Sequence, residues 1–149
     1  MTDSHERFVR HYKVRFGEID HAGVMYYPSF FDRMHRAFED FWEEAVDRTY
    51  AQVLDVDGVG FPVIDVRSRF RAPFRLGDVM RVEIDALRIG GRSVTFRYRL
   101  FEGDGDELRT EAVIVSAVVA METFAPRALP DRYRELLQRY LAPNEAPPA

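Results

Sequence analysis

The chain has 149 residues, 46% of them hydrophobic, 31% charged and 13% aromatic, with a formal net charge of −4. A chain of this length reads as one domain, 1–142, able to bury roughly 70% of its unfolded surface, and the acidic balance argues against bulk nucleic-acid binding. The absence of cysteine removes disulfides, thiol nucleophiles and thiolate metal sites together.

The first residues, MTDSHERFVRHYKV, have neither an apolar core nor a cleavage pattern, so no signal peptide is indicated. No apolar run reaches the length of a membrane span. The expectation is a cytoplasmic protein that engages no membrane.

Phe8 to Phe16 is β-rich with partial alternation and predicts a strand. A turn follows at Gly17 to Gly23. From Ser29 to Val46, Phe30, Met34, Ala37, Phe38, Phe41 and Ala45 recur at helical spacing, with Pro28 suited to a helix start. This is the one long helix with a strong apolar face. Tyr50 to Gly60 reads as a connection.

Four strands are expected next. In PVIDVRSRFRA, Ile64, Val66, Ser68 and Phe70 share one face, and Asp65, Arg67, Arg69 and Arg71 the other. Met80, Val82, Ile84 and Ala86 point inward from the following strand. Gly90-Gly91 makes a hairpin, and Val94, Phe96, Tyr98 and Leu100 alternate after it. Gly103-Asp104-Gly105 is the next hairpin, and Leu108 to Thr123 the last strand. That strand is apolar on both faces, with Val113, Val115, Ala117 and Val119 opposed to Ala112, Ile114, Val118 and Ala120. One helix covers one face only, so the other is expected to meet a second subunit. A short helix from Pro130 to Tyr140 and a disordered tail, 143–149, complete an α+β chain with a five-stranded antiparallel sheet.

The chemistry concentrates in Glu18-Ile19-Asp20-His21-Ala22-Gly23. Asp and Gly are common turn residues, and an acid before a helix favours its positive end. The same residues suit acyl transfer: Asp20 as nucleophile or general base, beside unpaired N–H groups of a helix start that polarise a carbonyl. Gly23 would admit a substrate close to the backbone. His21 either tunes Asp20 or is a plain turn residue. Tyr27, among the aromatics Tyr26, Phe30 and Phe31, is the candidate wall of an acyl pocket. The four histidines form no HxxxH or HxH pair, so no metal site is indicated. Most strand arginines, including those at 67, 69, 97 and 99, read as solvent-facing. Arg88 and Arg92, beside Gly90-Gly91, suit phosphate, and Arg92-Ser93 pairs a charge with a hydroxyl. GxGxxG, P-loop and GxSxG motifs are absent.

Asp20-x-x-Gly23-Val24-x-Tyr26-Tyr27-Pro28, placed between a strand and a long apolar helix, resembles the hot-dog fold acyl-CoA thioesterases, most of all the 4-hydroxybenzoyl-CoA thioesterase type. Gly60-Phe61-Pro62-Val63 is similar to that family's second-strand entry, and Arg92-Ser93-Val94 to a later strand start. The resemblance spans about residues 8 to 135. It implies a long central helix wrapped by an antiparallel sheet, and subunits that pair their sheets into dimers or dimers of dimers. It implies an acyl-CoA substrate and no metal or redox cofactor. Asp20 matches the catalytic aspartate, and Tyr27 the residue whose backbone N–H polarises the thioester carbonyl. His21, Gly23, Phe61, Arg88, Arg92 and Ser93 fall at substrate-binding positions. His21 replaces the proline of the hydroxybenzoyl enzymes, and Glu18 a common aspartate. Tyr27 stands where many short-chain members have histidine, which leans toward aromatic acyl groups. The rivals are another enzyme of the same fold, such as an enoyl-CoA hydratase, and a non-catalytic acyl-CoA sensor.

Overall fold

The computed structural model describes residues 5–143; most of the tail read as disordered, from residue 144 on, lies outside them. In chain order the elements are β1 (Phe8–Lys13), α1 (Tyr27–Val46), α2 (Tyr50–Asp55), β2 (Val59–Gly60), β3 (Val63–Phe70), β4 (Val79–Ile89), β5 (Ser93–Glu102), β6 (Leu108–Ala117), β7 (Val119–Ala120) and α3 (Asp131–Leu137). The main sheet is antiparallel with order β1-β4-β5-β6-β3. It has the expected five strands beside one long helix.

Alternation decides which side of the sheet meets α1. Met80, Val82, Ile84 and Ala86 of β4 and Val94, Phe96, Tyr98 and Leu100 of β5 are all buried. Against them α1 lays Phe30, Met34, Ala37, Phe38, Phe41 and Trp42. Phe41 makes edge contacts with Phe8, Phe96 and Tyr140 at 5.0–5.9 Å between ring centroids, the spacing that aromatic quadrupoles favour. The C-terminal carbonyls of α1 are taken up by arginines: Arg132 donates to Val46 O and Arg139 to Ala45 O.

Several expectations change. The first strand stops at Lys13, and Phe16–Glu18 forms a 3-10 turn. The segment read as a connection holds α2. Its signal is in the sequence, since Thr49 Oγ1 accepts the Gln52 N–H while the Gln52 side chain accepts that of Thr49, a capping box. On β3 a register shift between Val63 and Asp65 makes Ile64 the irregular residue, so Val63, rather than Ile64, stands across from Ser116. The last strand ends at Ala117, and after Val118 the chain turns into β7, which pairs with β2.

The far face of the sheet also differs from its reading. Arg97 is buried there with Asp85. Asp85 accepts from Arg97 Nε at 2.9 Å and lies 2.9 Å from His5 Nε2, with Arg7 and Arg99 within 4 Å. A buried carboxylate is tolerated when so paired. This ionic cluster lies on the face over β4 and β5, where the sequence pattern suggested solvent-facing arginines. Beyond it Val113 and Val115 stay half-buried.

Asp57 joins three helical segments. It accepts from Arg48, just past α1, and from Tyr133 of α3. Arg48, followed by the Tyr133 hydroxyl, holds the Asp57 carboxyl below its ordinary range. A lowered folded-state value stabilises fully above the unfolded value near pH 4 and loses that contribution as pH falls through the folded one. Asp57→Asn should therefore lower the melting temperature at neutral pH and flatten its fall as the pH drops below the unfolded value. An acid slope equal to the native one would contradict this origin.

Candidate active site

Residues 14–26 reverse the chain between β1 and α1 in a tightly bonded loop. Tyr26 N–H donates to Glu18 O at 2.8 Å, Asp20 N–H to Val24 O at 2.9 Å, and Gly23 N–H to Asp20 O at 3.0 Å. Gly23 has φ +85°, a conformation that costs little only without a Cβ. The loop is tied to the body where Met25 N–H donates to Phe74 O and Val14 N–H to Asp78 O.

The two loop acids behave differently. Glu18 accepts from Arg33 Nε and Nη2 at 3.2 and 3.0 Å and from the Arg15 N–H at 2.8 Å. It pins the loop to the first turns of α1. Asp20 uses one carboxylate oxygen on the Ala22 N–H, at 2.8 Å. Its other oxygen has no partner among the described residues. Asp20 is half-buried and His21 and Gly23 are exposed.

The start of α1 is open. No side chain caps it, no acid lies in its first turn, and Pro28 in that turn has no N–H to give. The Tyr27 N–H has no hydrogen-bond partner among the described residues. A first-turn N–H of this kind carries part of the positive end of the helix dipole. A hollow of about 270 Å³ lies here, lined by Met25, Tyr27, Phe30 and the stretch Phe70 to Pro73. A free carboxylate oxygen can act as a base or nucleophile, and a free helix-start N–H can polarise an electrophile.

A larger cavity, about 560 Å³, opens farther along α1. Phe31, Met34, His35 and Phe38 wall it on the helix side, and Phe61, Val63, Val66, Tyr98, Ile114 and Ser116 on the sheet side. It starts at Phe31, one turn or about 6 Å past Tyr27. Phe70 packs edge-on against Phe30 and Phe31, at 5.0 and 6.2 Å, between the two spaces.

The structure thus places Asp20, His21 and Gly23 in the one loop that leads into the Tyr27 helix start, with Tyr27 lining the smaller hollow and Phe61 the large cavity. It sets Arg88, Arg92 and Ser93 apart. They flank the β4–β5 hairpin, where Gly90 N–H donates to Ser93 O. The Asp20 loop meets the opposite end of those strands, next to Asp78. The ten residues of β5 put roughly 30 Å between the two ends. Arg88 and Arg92 are exposed and form no ion pair among the described residues. Sequence reasoning passed over His35 and Ser116 and took Tyr98 for core. Alternation marks the inward face but not the space left in front of it.

A model of the thioesterase-like superfamily matches residues 14–139. Curated relatives include 1,4-dihydroxy-2-naphthoyl-CoA hydrolases. That of Thermosynechococcus vestitus is 31% identical over 96 residues, just under two thirds (64%) of each chain. That of Prochlorococcus marinus is 29% identical over 130 residues, 79% of this chain and 81% of the relative. A thioesterase superfamily structure from Jannaschia superposes with a TM-score of 0.85 at 20% identity, over 95% of this chain and 97% of that one, and shares the hot-dog fold. These relatives are named for a dihydroxynaphthoyl rather than a 4-hydroxybenzoyl ester, so the resemblance holds at the level of the superfamily. The chain belongs to the thioesterase-like superfamily.

Glu18→Ala should cost about 1.5–3 kcal/mol, the range for hydrogen bonds to charged groups, in denaturant unfolding. Loss of less than about 0.5 kcal/mol would show that the loop is held without it.

Proposed function

We propose that this protein hydrolyses an aromatic acyl-CoA thioester, of the 4-hydroxybenzoyl or hydroxynaphthoyl kind, to the free acid and CoA. The observation that carries the reading is the pairing of a free Asp20 oxygen with the unpartnered Tyr27 N–H at an uncapped helix start. The thioester carbonyl oxygen accepts from the Tyr27 N–H. Asp20 attacks the carbonyl carbon, or takes a proton from a water that does. The C–S bond breaks, and the thiolate, a good leaving group, departs with little need of a general acid; where Asp20 is the nucleophile, water then hydrolyses the mixed anhydride, freeing the acid and restoring the carboxylate. The apolar cavity beyond Phe31 takes the acyl group. No metal enters the mechanism.

The protein works as a homo-oligomer in the cytoplasm. Strand β3 is an edge of the sheet, and Val63, Ile64, Val66 and Phe70 are exposed along it. Such an edge is a template for a second strand. Antiparallel pairing of two copies would set the Val63 end of one β3 beside the Phe70 end of the other. The partner's β4–β5 hairpin then approaches Asp20 and Tyr27, where Arg88, Arg92 and Ser93 can meet the phosphates of CoA. His21 and Gly23 flank the thioester.

The test is thiol release from aroyl-, arylacetyl-, short-chain and long-chain CoA esters. Asp20→Asn should lower kcat by roughly 10²–10⁴, the range for a lost acid–base group, with substrate still bound. No release from any ester, with CoA ester binding intact, would leave a sensor in place of a hydrolase.

Sedimentation should give a mass of two or four 17.4 kDa chains, shifted toward one chain in Ile64→Lys. A monomeric native protein at micromolar concentration would refute the shared edge.

A further inference from the structure

The large cavity contains two hydroxyl groups that its apolar walls do not account for. Tyr98 of β5 and Ser116 of β6 line it, and each is only 3% exposed. Neither hydroxyl has a hydrogen-bond partner among the described residues. Neither is sealed in packing either: among these residues the enclosed, unpartnered side-chain atoms are Trp42 Nε1 and Thr110 Oγ1. The space that the Tyr98 and Ser116 hydroxyls reach is therefore the cavity. Burial pushes the Tyr98 phenol far up, so it stays a neutral O–H able to donate and accept. A buried hydroxyl without a partner costs free energy, and an alkyl chain filling the cavity would leave both in that state.

We propose that Tyr98 and Ser116 determine specificity by hydrogen-bonding a ring hydroxyl of the aromatic acyl group. This rests on the aryl-thioester reading above. With the carbonyl at Tyr27, a ring lies past Phe31 between the α1 side chains Met34 and Phe38 and the sheet-side Phe61. A hydroxyl on its far side meets the two protein hydroxyls, whereas an unsubstituted ring presents only C–H to them. Sites built to bond a substrate hydroxyl reject the analogue without one more strongly than apolar pockets sort by size.

Calorimetry of free acids tests this without turnover: 4-hydroxybenzoate against benzoate, and 1,4-dihydroxy-2-naphthoate against 2-naphthoate. The proteins are native, Tyr98→Phe, Ser116→Ala and the double variant, each with its fold checked by circular dichroism. In one pair or the other, the native protein should bind the hydroxylated acid about tenfold tighter or more. That ratio should fall toward one in the double variant, and the ratio of kcat/KM for the matching CoA esters should fall with it. A native ratio near one in both pairs, or a ratio unmoved by the substitutions, overturns the assignment. Discrimination among acids with no thiol release from any ester would keep the subsite and remove the hydrolase. Thiol release without discrimination would do the reverse.

Discussion

The packing of α1 against the sheet is the constraint on which the rest depends. Phe38, Phe41 and Trp42 interlock with Phe96, Phe61, Tyr133 and Tyr140, so the helix has little freedom to slide or roll. Its two ends are then treated unequally. Arginines from the C-terminal segment take up the last carbonyls. The first turn has no side-chain cap. A helix fixed along its length and left open at one end holds a preorganised donor in place, with the cost met by the core.

The loop before it divides labour between two acids that look alike in the sequence. Glu18 is spent on Arg33 and the Arg15 N–H, and so orients the loop. Asp20 sits two residues on and is held only through its own backbone and one short side-chain bond. The pair explains why acids crowd a turn that opens on apolar surface: one anchors it, and the other remains available.

The elements with one strong period were legible in the sequence. The 3.6-residue recurrence of Phe30, Met34, Phe38 and Phe41 and the alternation in β4 and β5 report burial directly. The candidate loop was legible too, because Asp20, Gly23 and Pro28 each answer a local backbone demand. The rest depends on tertiary neighbours. The irregularity at Ile64 arises from pairing with β6, which no local pattern encodes. Arg97 alternates as a surface residue would, and its pairing with Asp85, twelve positions earlier, is a tertiary contact that lets it be buried. The capping box at Thr49 was readable, but its apolar stretch is too short to stand out against a loop. Tyr98 and Ser116 differ from their buried neighbours only by facing empty space, which is a property of the packed assembly of elements.

The single side-chain bond of Asp20 carries an evolutionary consequence. A carboxylate on which nothing in the core leans can be exchanged without unfolding the protein. Stability and the proposed chemistry are thus written in separate parts of the chain, and selection can act on one while the other drifts. A lineage built on this scaffold is free to lose turnover and keep recognition, or to change the acid's partners in the loop and acquire a different reaction, with the helix and sheet unaltered.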